Sequence, residues 1–315
     1  MPRGFLRYLV RRFALALVLI ATVSSAALFL AVAAPGDHLS GFDIDPAVAA
    51  AERARLGLDR PFLRQYADWA WRALRLDLGE SLIYRRPVTA LVADRAANTA
   101  LLGAAALVLA TAIGIPAGVV TGSRRTSAAA ALRALSLLIV SVPSLVTSFG
   151  LLLVASRTGW LPVGGYPADS NATLFEVARY LLLPALALAL PIAATLERLQ
   201  SRSLAEAMAA PSIAAATARG CGRSRIVWKH AFRQSLTPVL AVYGVIIGSV
   251  LSGSFIVEIV TSWPGLGALM HDALVARDMY LVAGCAAAGA VFLAAGILLS
   301  DLVHVFLDPR AEGRP

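Results

Sequence analysis

The chain has 315 residues, of which 58% are hydrophobic and only 15% are charged, and it carries a formal net charge of +9. A soluble domain carries roughly 25% charged residues. A water-soluble globule is therefore excluded, and the long uncharged stretches read as membrane spans. Cys221 and Cys285 stand one in a polar segment and one in an apolar run, which suits neither a disulfide framework nor a metal site.

Residues 1–12 hold Arg3, Arg7, Arg11 and Arg12, ahead of an uncharged run from Phe13 to Ala34. That run exceeds the about 7–15 residues of a signal-peptide core, so a retained first span is expected. Phe5, Leu6, Tyr8 and Leu9 beside the arginines predict a short interfacial helix before it. Residues 35–95 then form a polar domain with nine arginines and nine acids. In it Phe62, Leu63, Tyr66, Trp69, Ala70 and Leu74 recur at helical spacing, which predicts a helix with one buried face. A small cap on the membrane domain and a lip that receives a substrate-carrying partner both fit this segment.

A second span is expected within 96–123, with Gly114, Pro116 and Gly118 in its last part and Arg124-Arg125 closing it. A third lies within 134–156, where Pro143 predicts a kink, at a pathway or simply at a packing contact. Residues 157–179 read as a polar loop, and its Asn171-Ala172-Thr173 match to a glycosylation pattern is read as chance. A fourth span is expected at about 180–196, containing Pro184 and Pro191. The fifth covers about 236–257, with Gly244, Gly248 and Gly253 placed for close helix approach. A turn-rich loop with SWPGLG follows, then a sixth span at about 279–300 and a polar tail.

Between the fourth and fifth spans lies the longest basic interruption of the second half. Arg198, Arg202, Arg219, Arg223, Arg225, Lys229 and Arg233 stand there against only Glu197 and Glu206. The alanine-rich run 205–218 predicts a helix with Pro211 near its start, and Gly220-Cys221-Gly222 predicts its stop. A second helix is expected from about Arg223 to Pro238, where the fifth span would open. Two helices on a glycine elbow suit docking, although a plain positive-inside loop has the same charge.

Lysine and arginine set the orientation. Placing both termini, the 124–133 loop and the 197–233 loop in the cytosol gives those segments +11 and the rest −2. The basic balance is then topology, and no nucleic-acid partner is needed. Glu197, Glu258, Asp301 and His304 are expected at span ends, leaving the spans without ionisable groups. Proton-driven carriers and intramembrane enzymes need such groups, so this counts against both. No Walker-type phosphate loop is present, and no catalytic, cofactor-binding or metal-ligating residue is assigned. Ser141, Pro143, Ser144, Thr147 and Ser148 are the candidate lining of a pathway.

The stretch ATARGCGRSRIVWKHAFRQSLTPVL, with Arg219-Gly220, His230 and Pro238 in register, resembles the cytoplasmic coupling loop of binding-protein-dependent ATP-binding-cassette importer permeases. The dipeptide/oligopeptide (and nickel) permease family, in its first-permease subunit, is the closer likeness. RYLVRRF (7–13), LGLDRPFLRQY (56–66), LDLGESL (76–82), SVPS (141–144), SWPGLG (262–267) and LDPR (307–310) extend it over nearly the whole chain. Pro211-Ser212 departs from the acidic-aromatic pair usual in that loop.

The resemblance implies an all-α membrane protein of six transmembrane helices with a type I importer core. The expected division is 1–34 for the first span, 35–95 outside, 96–310 for the permease core with its coupling loop at 203–236, and a 311–315 tail. It implies a homologous second permease, two cytosolic ATPases that bind the ATP and magnesium, an extracytoplasmic solute-binding protein and the lipid of a bacterial inner membrane. Ala216, Arg219, Gly220, Arg223, His230, Arg233 and Pro238 would couple to the ATPases. Glu258, Trp263, Pro264, Gly265 and Gly267 would form an outer contact or gate, with an aromatic-belt position as the plainer reading of Trp263. A nickel or metal-chelate importer is the alternative within the family, and a stand-alone channel or secondary carrier the alternative outside it.

Overall fold

The computed structural model describes residues 3–34, 47, 50, 51, 54, 59–167 and 172–307, and among these every regular element is a helix. Most of the first part of the 35–95 segment, Asn171 and the 311–315 tail lie outside the described residues. The chain forms two compact units, one of residues 1–99 and 264–294, the other of residues 100–263 and 295–315.

In the first unit, helix α1 (Arg3–Ala33) runs without a break, so no separate interfacial helix precedes the span. Nothing between Leu9 and Phe13 interrupts it, because Arg11 and Arg12 are themselves good helix formers. Helix α2 (Phe62–Ala73) packs on α1 through Phe62 against Phe29, with ring centroids 5.5 Å apart, and through the Tyr66 hydroxyl 2.9 Å from Ser25 Oγ. Trp69 is its buried anchor. Leu63 and Leu74 point outward instead, 77% and 80% exposed, so the apolar stripe of α2 is narrower than its composition predicts. The rest of this unit is the start of α3 (Val88–Ser123), α10 (Leu266–Val275) and the start of α11 (Met279–Leu307), closed around Val88, Leu91, Leu269 and Leu281.

The second unit is built on α3, α6 (Leu174–Met208) and α9 (Phe232–Val260). Helix α6 begins earlier than the apolar run suggests, because Thr173 and Glu176 form a capping box at its start. It also continues past Leu196 to Met208. Gly114, Gly118 and Gly122 line the face of α3 that meets α6. A Cβ at these positions would lie 2.5 Å from the Ala193 carbonyl oxygen, 2.7 Å from that of Glu197 and 2.6 Å from that of Ser201. The two backbones are therefore nearly in contact, as small residues permit. The contact advances toward the C-terminus on both helices together, so α3 and α6 run in the same direction. Of the glycines expected to ease packing of the fifth span, Gly253 meets the Leu188 side chain, where a Cβ would lie 3.3 Å away.

The expected third span is two helices. Helix α4 (Ser127–Ser141) and helix α5 (Ser144–Thr158) meet at 109°. Pro143 lacks an N–H and forces Val142 into an extended conformation, so the proline breaks the helix outright rather than kinking it. Among the described residues five other helices are long and apolar enough to cross a membrane, and the bent pair makes a sixth if it is one broken span.

Candidate functional site

The segment after α6 folds as two short helical pieces, with boundaries that differ from expectation. The alanine-rich run is split: residues 205–208 end α6, Ala210 is extended, and α7 (Pro211–Ala218) begins with its proline at the first turn. Proline cannot accept helical continuation from a preceding α-residue, so the break falls in front of it. Gly220 then adopts φ +77 and Gly222 is extended, which turns the chain into α8 (Arg223–Arg225) and a π-helical stretch, Ile226–Ala231. That stretch passes without interruption into α9. Pro238 consequently lies inside α9 rather than opening a new span.

Ile213, Ile226, Val227 and Ala231 are buried together beneath this elbow, with Val119 and Leu204. Their burial holds the two pieces on the core. Ala216 is buried beside them, whereas Arg219, Gly220, Arg223 and Arg233 are exposed and His230 is half-buried. Gln234 donates to the Ser212 hydroxyl at 3.1 Å, so the residue that departs from the family pattern ties the start of α7 to α9. Arg223 donates to the Ser123 carbonyl at 2.8 Å. Trp228, unremarked in the sequence reading, is 53% exposed and packs on Phe232 at 5.6 Å between centroids. An aromatic among surface cations was the available signal for it.

The SWPGLG turn is held by the chain itself. Trp263 is fully buried, its ring edge-on to Tyr166 at 5.5 Å, and its backbone N–H donates to the Glu258 backbone carbonyl at 2.9 Å. The belt reading of this tryptophan is thereby corrected: its ring is enclosed by protein rather than placed at a lipid interface. Glu258 is likewise buried, Pro264 accepts from Asn98 at 2.8 Å, and Gly265 and Gly267 are buried at the start of α10. Only Ser262, at φ +54, is exposed within the turn.

One residue of the first unit escaped the sequence reading. Asp278 is fully buried and accepts from Ser81 Oγ and Leu82 N at 2.6 Å, from Ile83 N at 3.2 Å and from Leu281 N at 3.1 Å. It caps α11 and at the same time pins the LDLGESL loop, where Gly79 has φ +93. An aspartate just before an apolar helix was its only sequence signal. Beside it Tyr84 donates to Asp272 at 3.3 Å, and burial together with that carboxylate pushes its phenol above the usual range.

The pathway candidates gather at the α4–α5 break. Ser141 Oγ donates to the Leu137 carbonyl, Thr147 to that of Pro143 and Ser148 to that of Ser144. Their hydroxyl protons are thus used within their own helices. Ser141 and Pro143 are exposed, Ser144 and Thr147 partly so, and Ser148 is fully buried.

Glu197, expected at a span end, is enclosed by protein. It lies well inside α6, 1% exposed, with one carboxylate oxygen accepting from the Thr121 hydroxyl. Gln200, one turn on, donates to Ser235 at 2.7 Å. The polar pair is covered because Gly118 lets α3 close over it. A buried carboxylate removes the force of excluding carriers by the lack of one.

Class is settled by likeness. Residues 114–313 match the family described as binding-protein-dependent transport system inner membrane component, and residues 5–102 match the N-terminal part of such components. The chain belongs to this family of membrane permeases. It is 30% identical over 313 residues to the oligopeptide transport system permease protein AppB of Bacillus subtilis, a match covering 97% of this chain and 99% of that one. It is also 30% identical over 295 residues to the dipeptide transport system permease protein DppB of Escherichia coli K12, covering 85% and 86% respectively.

Proposed function

We propose that the chain is the permease subunit of an ATP-binding-cassette importer and forms half of a pathway for peptides. The observation that carries the peptide reading is its nearly end-to-end similarity to the oligopeptide-system permease. Energy enters at the 211–231 elbow, which faces the cytosol, as do both termini. The elbow sits on its own apolar footing and presents Arg219, Arg223, Trp228 and Arg233 outward. Two ATPase subunits dock there and hold the ATP and magnesium. A homologous second permease completes the pathway past Ser141 and Ser144. A solute-binding protein delivers peptide on the opposite side, toward the turn at Ser262.

Reconstitution tests this. The isolated chain in liposomes should accumulate no peptide under a proton or sodium gradient. Adding the second permease, the ATPases, the binding protein and Mg-ATP should give uphill uptake. Accumulation by the chain alone under a proton gradient would overturn the assignment.

A further inference from the structure

Where the C-terminal parts of α3 and α6 lie side by side, the second unit contains a cavity of about 1150 Å3. Its lining includes Arg124, Arg125, Arg133, Arg198, Arg202 and Arg223. The one acid in the lining is Glu197, which is enclosed and already accepts from Thr121. Arg223 is engaged with the Ser123 carbonyl. Among the described residues, none of the other five arginine side chains has a hydrogen-bond or ion-pair partner.

Five uncompensated guanidinium groups around one hollow repel each other, and a shared anion relieves that repulsion. The planar fork of arginine matches phosphate oxygens two at a time. Leu137, Met208 and Val242 line the same cavity and add an apolar wall that a free ion has no use for. Basic hollows between helices at a membrane face are suited to phosphate headgroups. We propose that this cavity binds the phosphate of an anionic phospholipid, with the arginines on the headgroup and an acyl chain along Leu137 and Val242. The site rests on the membrane setting and does not depend on which solute is carried.

The full chain, purified in mild detergent, would be examined by native mass spectrometry with added phosphatidylglycerol, phosphatidylcholine or inorganic phosphate. Phosphatidylglycerol should be retained and phosphatidylcholine should not. The pair Arg198→Gln with Arg202→Gln should weaken retention at least about tenfold. Arg198→Lys with Arg202→Lys should keep most of it, and Arg64→Gln with Arg157→Gln, away from the cavity, should change nothing. Equal retention of both lipids, or unchanged retention in the glutamine pair, would overturn the site. Displacement of the lipid by inorganic phosphate would make it a free-anion site, and displacement by an acidic tripeptide a cargo site; each result rejects the lipid assignment.

Discussion

Gly220 is the residue at which backbone conformation and energy coupling can be separated. A Cβ there would meet no atom within 4 Å, so a small side chain acts through φ +77. That strain costs about 1 kcal/mol for alanine and more for a β-branched residue. Gly220→Val should therefore insert and assemble normally yet lose substrate-stimulated ATP hydrolysis by the partner subunits. Gly222→Ala is the matched control, because Gly222 has φ −65 and equally open surroundings. It should retain both ATPase stimulation and uptake, and Trp228→Ala should lose stimulation without any change in folding. Wild-type coupling in Gly220→Val and Trp228→Ala would make the elbow a passive connector. Asp278 is the opposite kind of residue, one whose part is structural. Asp278→Ala leaves buried donors at Ser81, Leu82 and Leu281 without their acceptor, at a cost on the order of 3 kcal/mol. The purified variant should melt clearly below wild type, with Asp278→Asn between the two, and equal melting of all three would refute the clamp.

At the scale of elements, the seam between α3 and α6 leaves no room for a side chain. Gly118→Leu would drive a side chain into the Glu197 carbonyl and the Gln200 side chain, and neither helix backbone can give way locally. Overpacking of this kind costs about 1–3 kcal/mol. Loss of monodisperse protein in detergent is expected for Gly118→Leu, but not for Gly150→Leu, where a Cβ meets nothing within 4 Å. The sequence reading placed close helix approach at Gly244, Gly248 and Gly253 and not at the Gly114, Gly118 and Gly122 seam, because nothing local encodes which helix lies opposite. Prolines show the same limit. Pro116, Pro184, Pro191 and Pro238 stay inside helices, whereas Pro143 and Pro211 end them. The difference lies in whether neighbouring helices hold the preceding residue in helical geometry, which is tertiary information.

For the whole molecule, the class was legible early because apolar runs of membrane length and an ordered set of short motifs survive at 30% identity. What the sequence hid was burial. Glu197 reads as an exposed polar residue until the packing of α6 is known, and Trp263 reads as a surface aromatic until Tyr166 is seen against it. Leu63 and Leu74 err the other way, apolar by type yet turned outward. Each depends on what packs across from it, and a single sequence is silent on that.

The shared direction of α3 and α6 also fixes a parity. Two spans of a chain can point the same way only if an odd number of crossings separates them. The described chain between Ser123 and Leu174 offers one candidate, the pair bent by 109°. Counted as a loop that dips in and returns on its own side, the pair would make α3 and α6 antiparallel, against the register of their glycine contacts. The bent pair is therefore a crossing, which makes the number of candidate spans among the described residues even. Hydropathy alone leaves the choice between five and six; three glycines decide it.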